Sequence, residues 1–143
     1  GDGILVVDLP AEEAKEMVSS AKQAGLNWIP LAAPTSGRDR IRRASEIGSG
    51  FLYMISVTGI TGVRKSLPPG IARWAETVRK ESRLPVAIGF GISTPAMARS
   101  AARHADAVVV GSACVRIVER HGAGRAGPVA MRRFVRALKT AMR

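Results

Sequence analysis

The stretch Leu84–Pro95, L-P-V-A-I-G-F-G-I-S-T-P, decides the fold class of this chain. Val86–Ile88 is a short apolar run, typical of a strand buried on both faces, and it ends in the glycine turn Gly89–Gly91. Ser93–Pro95 then offers a hydroxyl N-cap followed by proline, which predicts the start of a helix. Such a turn suits an anion-binding site, because free backbone N–H groups and the positive end of the helix dipole converge there.

The same succession of strand, turn and helix recurs along the chain. Strands are predicted over Ile4–Val7, Trp28–Ala33, Phe51–Ser56, Val86–Ile88 and Ala107–Val110. Helices are predicted over Ala11–Ala24 and Asp39–Ile47, from Pro68 onward, from Pro95 through Ala102, over Ala113–Glu119 and from Pro128 onward. Because helices alternate with strands and no hairpin signal occurs, the strands should run parallel, and the fold class is α/β.

Five such units fit either an open doubly wound sheet or the later part of an eight-unit TIM (β/α)8 barrel. The last strand ends in Gly111 and Ser112, and two helices follow it where the other strands have one. Barrel enzymes often bind phosphate with the loops after their last two strands and the N-terminus of a short extra helix. The turns at Gly89–Gly91 and at Gly111 match that pattern. The barrel is therefore favoured, with three units upstream of Gly1.

Length and composition bound the architecture. At 143 residues, of which 46% are apolar, the chain is expected to form a single domain over residues 1–143. No apolar run approaches the roughly 20 residues that span a bilayer, and no signal segment is evident, so a cytoplasmic protein without membrane contact is expected. The chain begins at Gly1 without a methionine, which indicates a fragment or a processed product.

The net charge of +11 raises the question of nucleic-acid binding. The cations are scattered over the polar faces of several predicted helices, with only one aromatic residue, Trp74, near them, so a solvated surface is favoured.

Cys114 is the single cysteine, which excludes an internal disulfide, and it is interpreted as a buried helix residue. His104 and His121 lie near predicted helix ends and have no suitably spaced partner for a metal. No metal site is expected.

Five motifs together resemble the tryptophan synthase alpha chain family. They are V-V-D-L-P at Val6–Pro10, A-P-T-S at Ala33–Ser36, Y-M-I-S-V-T-G-I-T-G at Tyr53–Gly62, G-F-G-I-S at Gly89–Ser93 and V-G-S-A at Val110–Ala113. The resemblance implies a barrel lyase of tryptophan biosynthesis. Such an enzyme cleaves indole-3-glycerol phosphate into indole and glyceraldehyde 3-phosphate by a retro-aldol reaction, without a cofactor. It passes the indole to a partner beta chain in a heterotetramer.

The resemblance also implies where the substrate lies. The substrate phosphate would be held by Thr61, Gly62, Phe90, Gly91, Gly111 and Ser112. Leu5 and Leu31 would line the indole pocket, although apolar strand residues are core residues by default. Asp8 would either cap the following helix or orient the active site. Tyr53 would point its hydroxyl towards the reacting centre, unless it is simply a half-buried strand residue.

One departure from the family concerns its two catalytic carboxylates. The family places a proton-shuttling glutamate and an indole-binding aspartate on early strands, and these 143 residues correspond to the part after them. Glu12 and Glu13 are better explained by the dipole of the first helix. Since cleavage needs a poised acid and base, the isolated chain is predicted to hold part of the phosphate site and to lack turnover.

Three further expectations follow from the sequence. The segment Thr58–Lys65, with its glycines, threonines and cations, is typical of a mobile lid. A five-stranded piece of a barrel leaves two sheet edges and an inner face uncovered, which favours self-association or pairing with a complementary fragment. The alternative function is another phosphate-binding barrel or a flavodoxin-like module without lyase activity, and a basic nucleic-acid binder is the weakest reading.

Overall fold

Parallel strands in chain order form the sheet of this computed structural model, which describes residues 1–7, 9, 13–55, 67–89, 91–122 and 124–143. The strands are β1 (Gly3–Ile4), β2 (Asn27–Trp28), β3 (Leu31–Ala32), β4 (Leu52–Ile55), β5 (Val86–Gly89) and β6 (Ala107–Val108). The helices are α1 (Lys15–Gln23), α2 (Arg38–Ile47), α3 (Ile71–Glu81), α4 (Pro95–Ala102), α5 (Ser112–His121) and α6 (Ala126–Ala141).

The order of the strands distinguishes the two predicted architectures. β1 pairs with β2, and β3, β4, β5 and β6 pair in succession, every pair being parallel. A doubly wound sheet reverses its strand order at a switch point, whereas a barrel adds each strand beside the previous one. No reversal occurs among the described strands, so they follow barrel order.

The second predicted strand, Trp28–Ala33, is divided in the structure. The N–H of Ile29 donates to the carbonyl of Ile4 at 2.8 Å, which extends the pairing with β1. Pro30 has no N–H to donate, and its carbonyl instead accepts from the N–H of Tyr53 at 2.8 Å, on the β4 side. β2 and β3 are therefore the two halves of one strand, and the five predicted units are retained.

The main core lies between the sheet and the helices. Along β4 the residues alternate between fully buried and half-buried, with Leu52 and Met54 facing the helices. The largest fully buried side chains are Ile41, Leu52, Met54, Val78, Val86 and Ile88. A second, smaller cluster packs Ala14, Ala21 and Trp28 beneath α1. The face of the sheet that turns away from the helices is thus left to line a site.

Helix boundaries confirm one predicted start and move several others. Thr94 caps α4 as predicted, since its Oγ1 accepts from the N–H of Met97 at 3.2 Å. The first helix begins at Lys15, four residues later than predicted, so Glu13 precedes it and Glu16 is the acidic residue of its first turn. The last two helices each begin earlier than predicted, and the first of them, α5, has 10 residues.

None of the helices in the described part of the chain is long and apolar enough to cross a membrane.

Candidate functional site

The register of the strands brings several predicted site residues onto one side of the sheet, which we call the inner face. Leu31 pairs with Tyr53, and Tyr53 pairs with Ala87, so their side chains project to the same side. Leu5 follows Ile4, whose side chain packs in the cluster beneath α1, and alternation places Leu5 on the inner face as well. Leu5 is 39% exposed. The two leucines and the tyrosine therefore line one apolar surface.

Tyr53 extends along the inner face towards the carboxyl ends of the strands. Its ring lies against Gly89, two residues beyond its partner Ala87 on β5, and a Cβ added at Gly89 would collide with the phenol. Gly89 therefore provides the space in which this ring lies. Burial raises the pKa of the Tyr53 hydroxyl above its usual value, so the group is a protonated hydrogen-bond donor at neutral pH.

The two glycine turns follow neighbouring parallel strands, β5 and β6, at the carboxyl edge of the sheet. Partners on β5 and β6 differ by 20 in residue number, as in Ala87 with Ala107, and the same offset relates Gly91 to Gly111. The pairing continues past β6, because the N–H of Val109 donates to the carbonyl of Ile88 at 2.8 Å. Gly91 has a φ of 78°, a left-handed conformation that favours glycine.

The N-terminus of α5 is open at this edge. Its N-cap, Gly111, makes no side-chain capping bond, and its carbonyl accepts from the N–H groups of Cys114 at 2.8 Å and Val115 at 3.2 Å. Gly111 and Ser112 are exposed, and a Cβ added at Gly111 would meet open space. The first N–H groups of the helix, with the positive end of its dipole, therefore lie at an exposed helix start that can receive an anion.

A cavity of about 330 Å³ opens next to Leu31. Its wall includes Leu31 and Ile55 from the inner face, Thr35 and Ser36 from the segment that leads into α2, and Arg40 from the first turn of α2. Ser36 is partly engaged, since its Oγ accepts from the N–H of Ala33 at 3.1 Å. Leu5 is not part of this wall, so the structure brings Leu31 but not Leu5 to the cavity.

Sequence reasoning missed two kinds of site residue. Ile55 was not predicted, and Gly89 was predicted only as part of a turn; both belong to the inner face through the register of β4 and β5, which joins residues far apart in the chain. Arg40 lies in helix α2 and reaches the cavity only because that helix packs beside β3. The alternation of the strand around Tyr53 could have indicated Ile55. No local signal indicated Arg40.

Some predicted positions lie outside the described residues. They are Asp8, the phosphate candidates Thr61, Gly62 and Phe90, and the segment Thr58–Lys65. Cys114, which was predicted to be a buried helix residue, is only half-buried in the structure. Its thiol donates to the carbonyl of Val110 at 3.5 Å. His121 ends α5 and His104 follows α4, near helix ends as predicted.

Comparisons with known proteins point to one family. The family model described as tryptophan synthase alpha chain matches residues 1–143. The tryptophan synthase alpha chain of Geotalea daltonii is 51% identical over 119 residues, covering 83% of this chain and 45% of that protein. The one from Geobacter sulfurreducens is 44% identical over 141 residues, covering 99% of this chain and 53% of that protein.

Solved structures agree with this. A protein of Aquifex aeolicus superposes with a TM-score of 0.80 at 37% identity, covering 99% of this chain and 51% of its own. The tryptophan synthase α2β2 complex of Pyrococcus furiosus contains a chain with a TM-score of 0.82 at 34% identity, covering 97% of this chain and 56% of that one. The chain thus spans about half the length of the relatives that it matches.

Proposed function

This chain belongs to the tryptophan synthase alpha chain family, and we propose on that premise that it takes part in cleaving indole-3-glycerol phosphate to indole and glyceraldehyde 3-phosphate. The observation that carries the proposal is the order of the strands. β3 and β4, which place Leu31 and Tyr53 on the inner face, are followed in the sheet by β5 and β6, which lead into the turns at Gly91 and Gly111. These turns would present backbone N–H groups at the carboxyl edge of the sheet. An apolar ring and a phosphate could be bound there together.

The proposed role of the glycine turns and α5 is to hold the phosphate. The N–H groups at the start of α5 and around Gly91 would donate to its oxygens, and the helix dipole would favour its negative charge. Support comes from the exposure of Gly111 and Ser112 and from the open space at Gly111. Thr61, Gly62 and Phe90 remain candidates for the same site on the family resemblance alone.

The proposed role of the inner face is to hold the indole ring. Leu31 and Leu5 would contact it, and the Tyr53 hydroxyl, which Gly89 allows to lie along the sheet, would donate a hydrogen bond near the reacting carbon. Asp8 would orient the same centre. These contacts bind and orient the substrate, whereas cleavage also requires a proton for the indole ring carbon and a base for the hydroxyl proton.

We expect the purified 143-residue polypeptide to release no indole from indole-3-glycerol phosphate. The family resemblance assigns the acid and base to strands that come before those described here. Adding the N-terminal half of the Geotalea daltonii relative should restore indole release, since it would supply both carboxylates. Release of indole by the 143-residue polypeptide alone would contradict this expectation.

A binding experiment tests the substrate class separately. Indole-propanol phosphate should bind the polypeptide more tightly than glycerol phosphate in calorimetric titration, because only the former also buries a ring on the inner face. Equal affinity for the two would instead favour a phosphate-binding module without lyase activity.

The phosphate site has its own test. Ser112→Glu should weaken both ligands by about ten-fold or more, because a carboxylate would occupy the N-terminus of α5 in place of the phosphate. Ser100→Glu, at an exposed position of α4, is the matched control and should leave both affinities unchanged. Unchanged affinity in Ser112→Glu would refute the phosphate site.

The remaining parts of the proposal follow from the family. Related structures include complexes of alpha and beta chains, and we propose a tryptophan synthase beta chain as partner. We also propose that residues 1–143 form a single domain, the C-terminal portion of a (β/α)8 barrel, and that the protein acts in the cytoplasm. Co-purification with a beta chain from the same source would test the first of these points.

A further inference from the structure

The positive charge of this chain is concentrated towards its C-terminus. Residues 91–143 contain ten of the 22 Lys and Arg residues but only two of the 11 acidic residues, Asp106 and Glu119. Between α2 and α3 the cations are paired, as where Glu81 binds Arg42 at 2.7 Å. Every ion pair found among the described residues lies within residues 38–106. The cations of α5 and α6 therefore have no acidic partner among the described residues.

Part of this unpaired charge lines a groove between α4 and α6. The groove has a volume of about 500 Å³ and is lined by Pro95, Arg99, Arg133, Arg136, Ala137, Thr140 and Ala141. The Nε of Arg99 donates to the carbonyl of Ala141 at 3.0 Å, which fixes this guanidinium at the end of α6. Arg133 and Arg136 are exposed, and neither has an ion pair within the described residues.

An apolar groove between α5 and α6 continues from the basic one. It has a volume of about 590 Å³ and is lined by Ile117, His121, Ala126, Val129, Ala130, Arg133, Phe134 and Ala137. Arg133 and Ala137 line both grooves, so the two are halves of one depression along α6, which we call the bipartite groove. Val129 is 68% exposed in its apolar half. None of the described residues that line either half is acidic.

We propose that the bipartite groove binds an acidic amphipathic segment of a partner polypeptide. Arginine guanidinium groups pair with carboxylates in a bidentate geometry, so Arg133, Arg136 and Arg99 suit the acidic half of such a segment. The apolar half would cover Val129, Ile117 and Phe134. α6 has 16 residues and is about 24 Å long, which matches an amphipathic helix of about four turns.

Other occupants fit the groove less well. A second copy of this chain that docked through the same groove would bring the same unpaired cations against Arg133 and Arg136, and this contact would be repulsive. A nucleic acid would satisfy the arginines but would leave the apolar half around Val129 uncovered. The residues that line the groove include none of those proposed to bind the substrate, so the proposal does not depend on the lyase activity.

Fluorescence anisotropy with defined probes tests the proposal on the 143-residue polypeptide. The probes are two labelled 16-residue helical peptides, with a leucine-rich half and a glutamate-rich half in either order, and a scrambled peptide of the same composition. A 20-base-pair duplex DNA and vesicles of anionic lipid are the competing ligands. One of the two ordered peptides should bind at least about ten-fold more tightly than the scrambled one.

Substitutions at exposed positions identify the surface without disturbing the core. Arg136→Glu should weaken the ordered peptide by about ten-fold and reduce its salt dependence, whereas Val129→Ser should weaken it by about three- to five-fold at every salt concentration. Arg73→Glu, an exposed cation on α3, is the matched control and should bind as the parent does. Equal binding of ordered and scrambled peptides, or tighter binding of DNA or vesicles than of either ordered peptide, would overturn the proposal.

Discussion

At the scale of single residues, the pair formed by Gly89 and Tyr53 decides how the end of the sheet is shaped. The phenol ring lies in the space that a Cβ at Gly89 would fill, and the backbone around both residues is held by the pairing of β4 with β5. The glycine was evident in the sequence as part of a turn. Its partner was not, because Tyr53 precedes it by more than thirty residues and only the register of the strands joins the two.

Gly89→Ala should therefore destabilise the chain by about 1–3 kcal/mol, since the new methyl group forces the Tyr53 ring out of its place. Urea unfolding followed by circular dichroism measures the change. Gly124→Ala, where a Cβ would meet open space, is the matched control and should change stability by less than about 0.5 kcal/mol. In a Tyr53→Ala background the cost of Gly89→Ala should nearly vanish, and an undiminished cost there would refute the contact.

The Tyr53 hydroxyl should also titrate above the ordinary tyrosine pKa, because burial disfavours the phenolate. Tyr53 is the single tyrosine of the chain, so the absorbance rise of tyrosinate near 295 nm reports this group alone. Since the pKa is raised on folding, the unfolded chain loses the proton first as the pH rises. The associated stability is present below about pH 10 and is lost above it.

Tyr53→Phe should remove this part of the loss of stability above the ordinary tyrosine pKa, and the difference between the two proteins in free energy of unfolding separates it from the titration of the lysines. A titration midpoint at or below the ordinary tyrosine value would show that the ring is solvated and would contradict its position against Gly89.

At the scale of elements, the hydrophobic pattern predicted the strand and helix succession because both periodicities are local. The ends of the strands and helices were harder to predict from the sequence, and Pro30 shows why. A proline within an apolar run does not by itself say which neighbour loses a hydrogen bond, and here it divides one strand between β1 and β4. Similarly, the glutamates near residue 12 suggested a helix start that the structure places at Lys15.

The start of α4 is an element whose cause was visible in the sequence. Thr94→Ala should destabilise the chain by about 1 kcal/mol, because the N–H of Met97 loses the acceptor that Thr94 Oγ1 provides at 3.2 Å. Ser93→Ala is the matched control, since that hydroxyl makes only a 3.9 Å contact with the sulfur of Met97. Equal losses from the two alanines would mean that Thr94 is not the cap.

At the scale of the whole molecule, the strands in the described part of the chain leave two sheet edges and exposed apolar side chains on the inner side of the first unit. β1 and β6 each have one partner among the described strands, and Leu5 and Val7 on the inner side of the first unit are 39% and 62% exposed. The order of the strands distinguishes a barrel from a doubly wound sheet once the strand pairing is known. The sequence alone could not predict that pairing, because each pair joins strands from different βα units.

The isolated 143-residue polypeptide should therefore self-associate, as the sequence predicts, through its inner face and edges. Sedimentation velocity should show a weight-average mass that rises with concentration, and rises further with salt, since screening weakens the repulsion between chains of charge +11. Leu5→Lys with Val7→Lys should shift the equilibrium towards monomer by about ten-fold or more, because two charges would have to be buried in the contact. Met17→Lys, at a position of α1 with a similar exposure of 44%, is the control and should leave the association equilibrium unchanged.

Two outcomes would contradict this prediction. A parent polypeptide that stays monomeric at high salt and high concentration would show that the inner face does not drive association. A double variant that associates like the parent would place the contact elsewhere on the surface.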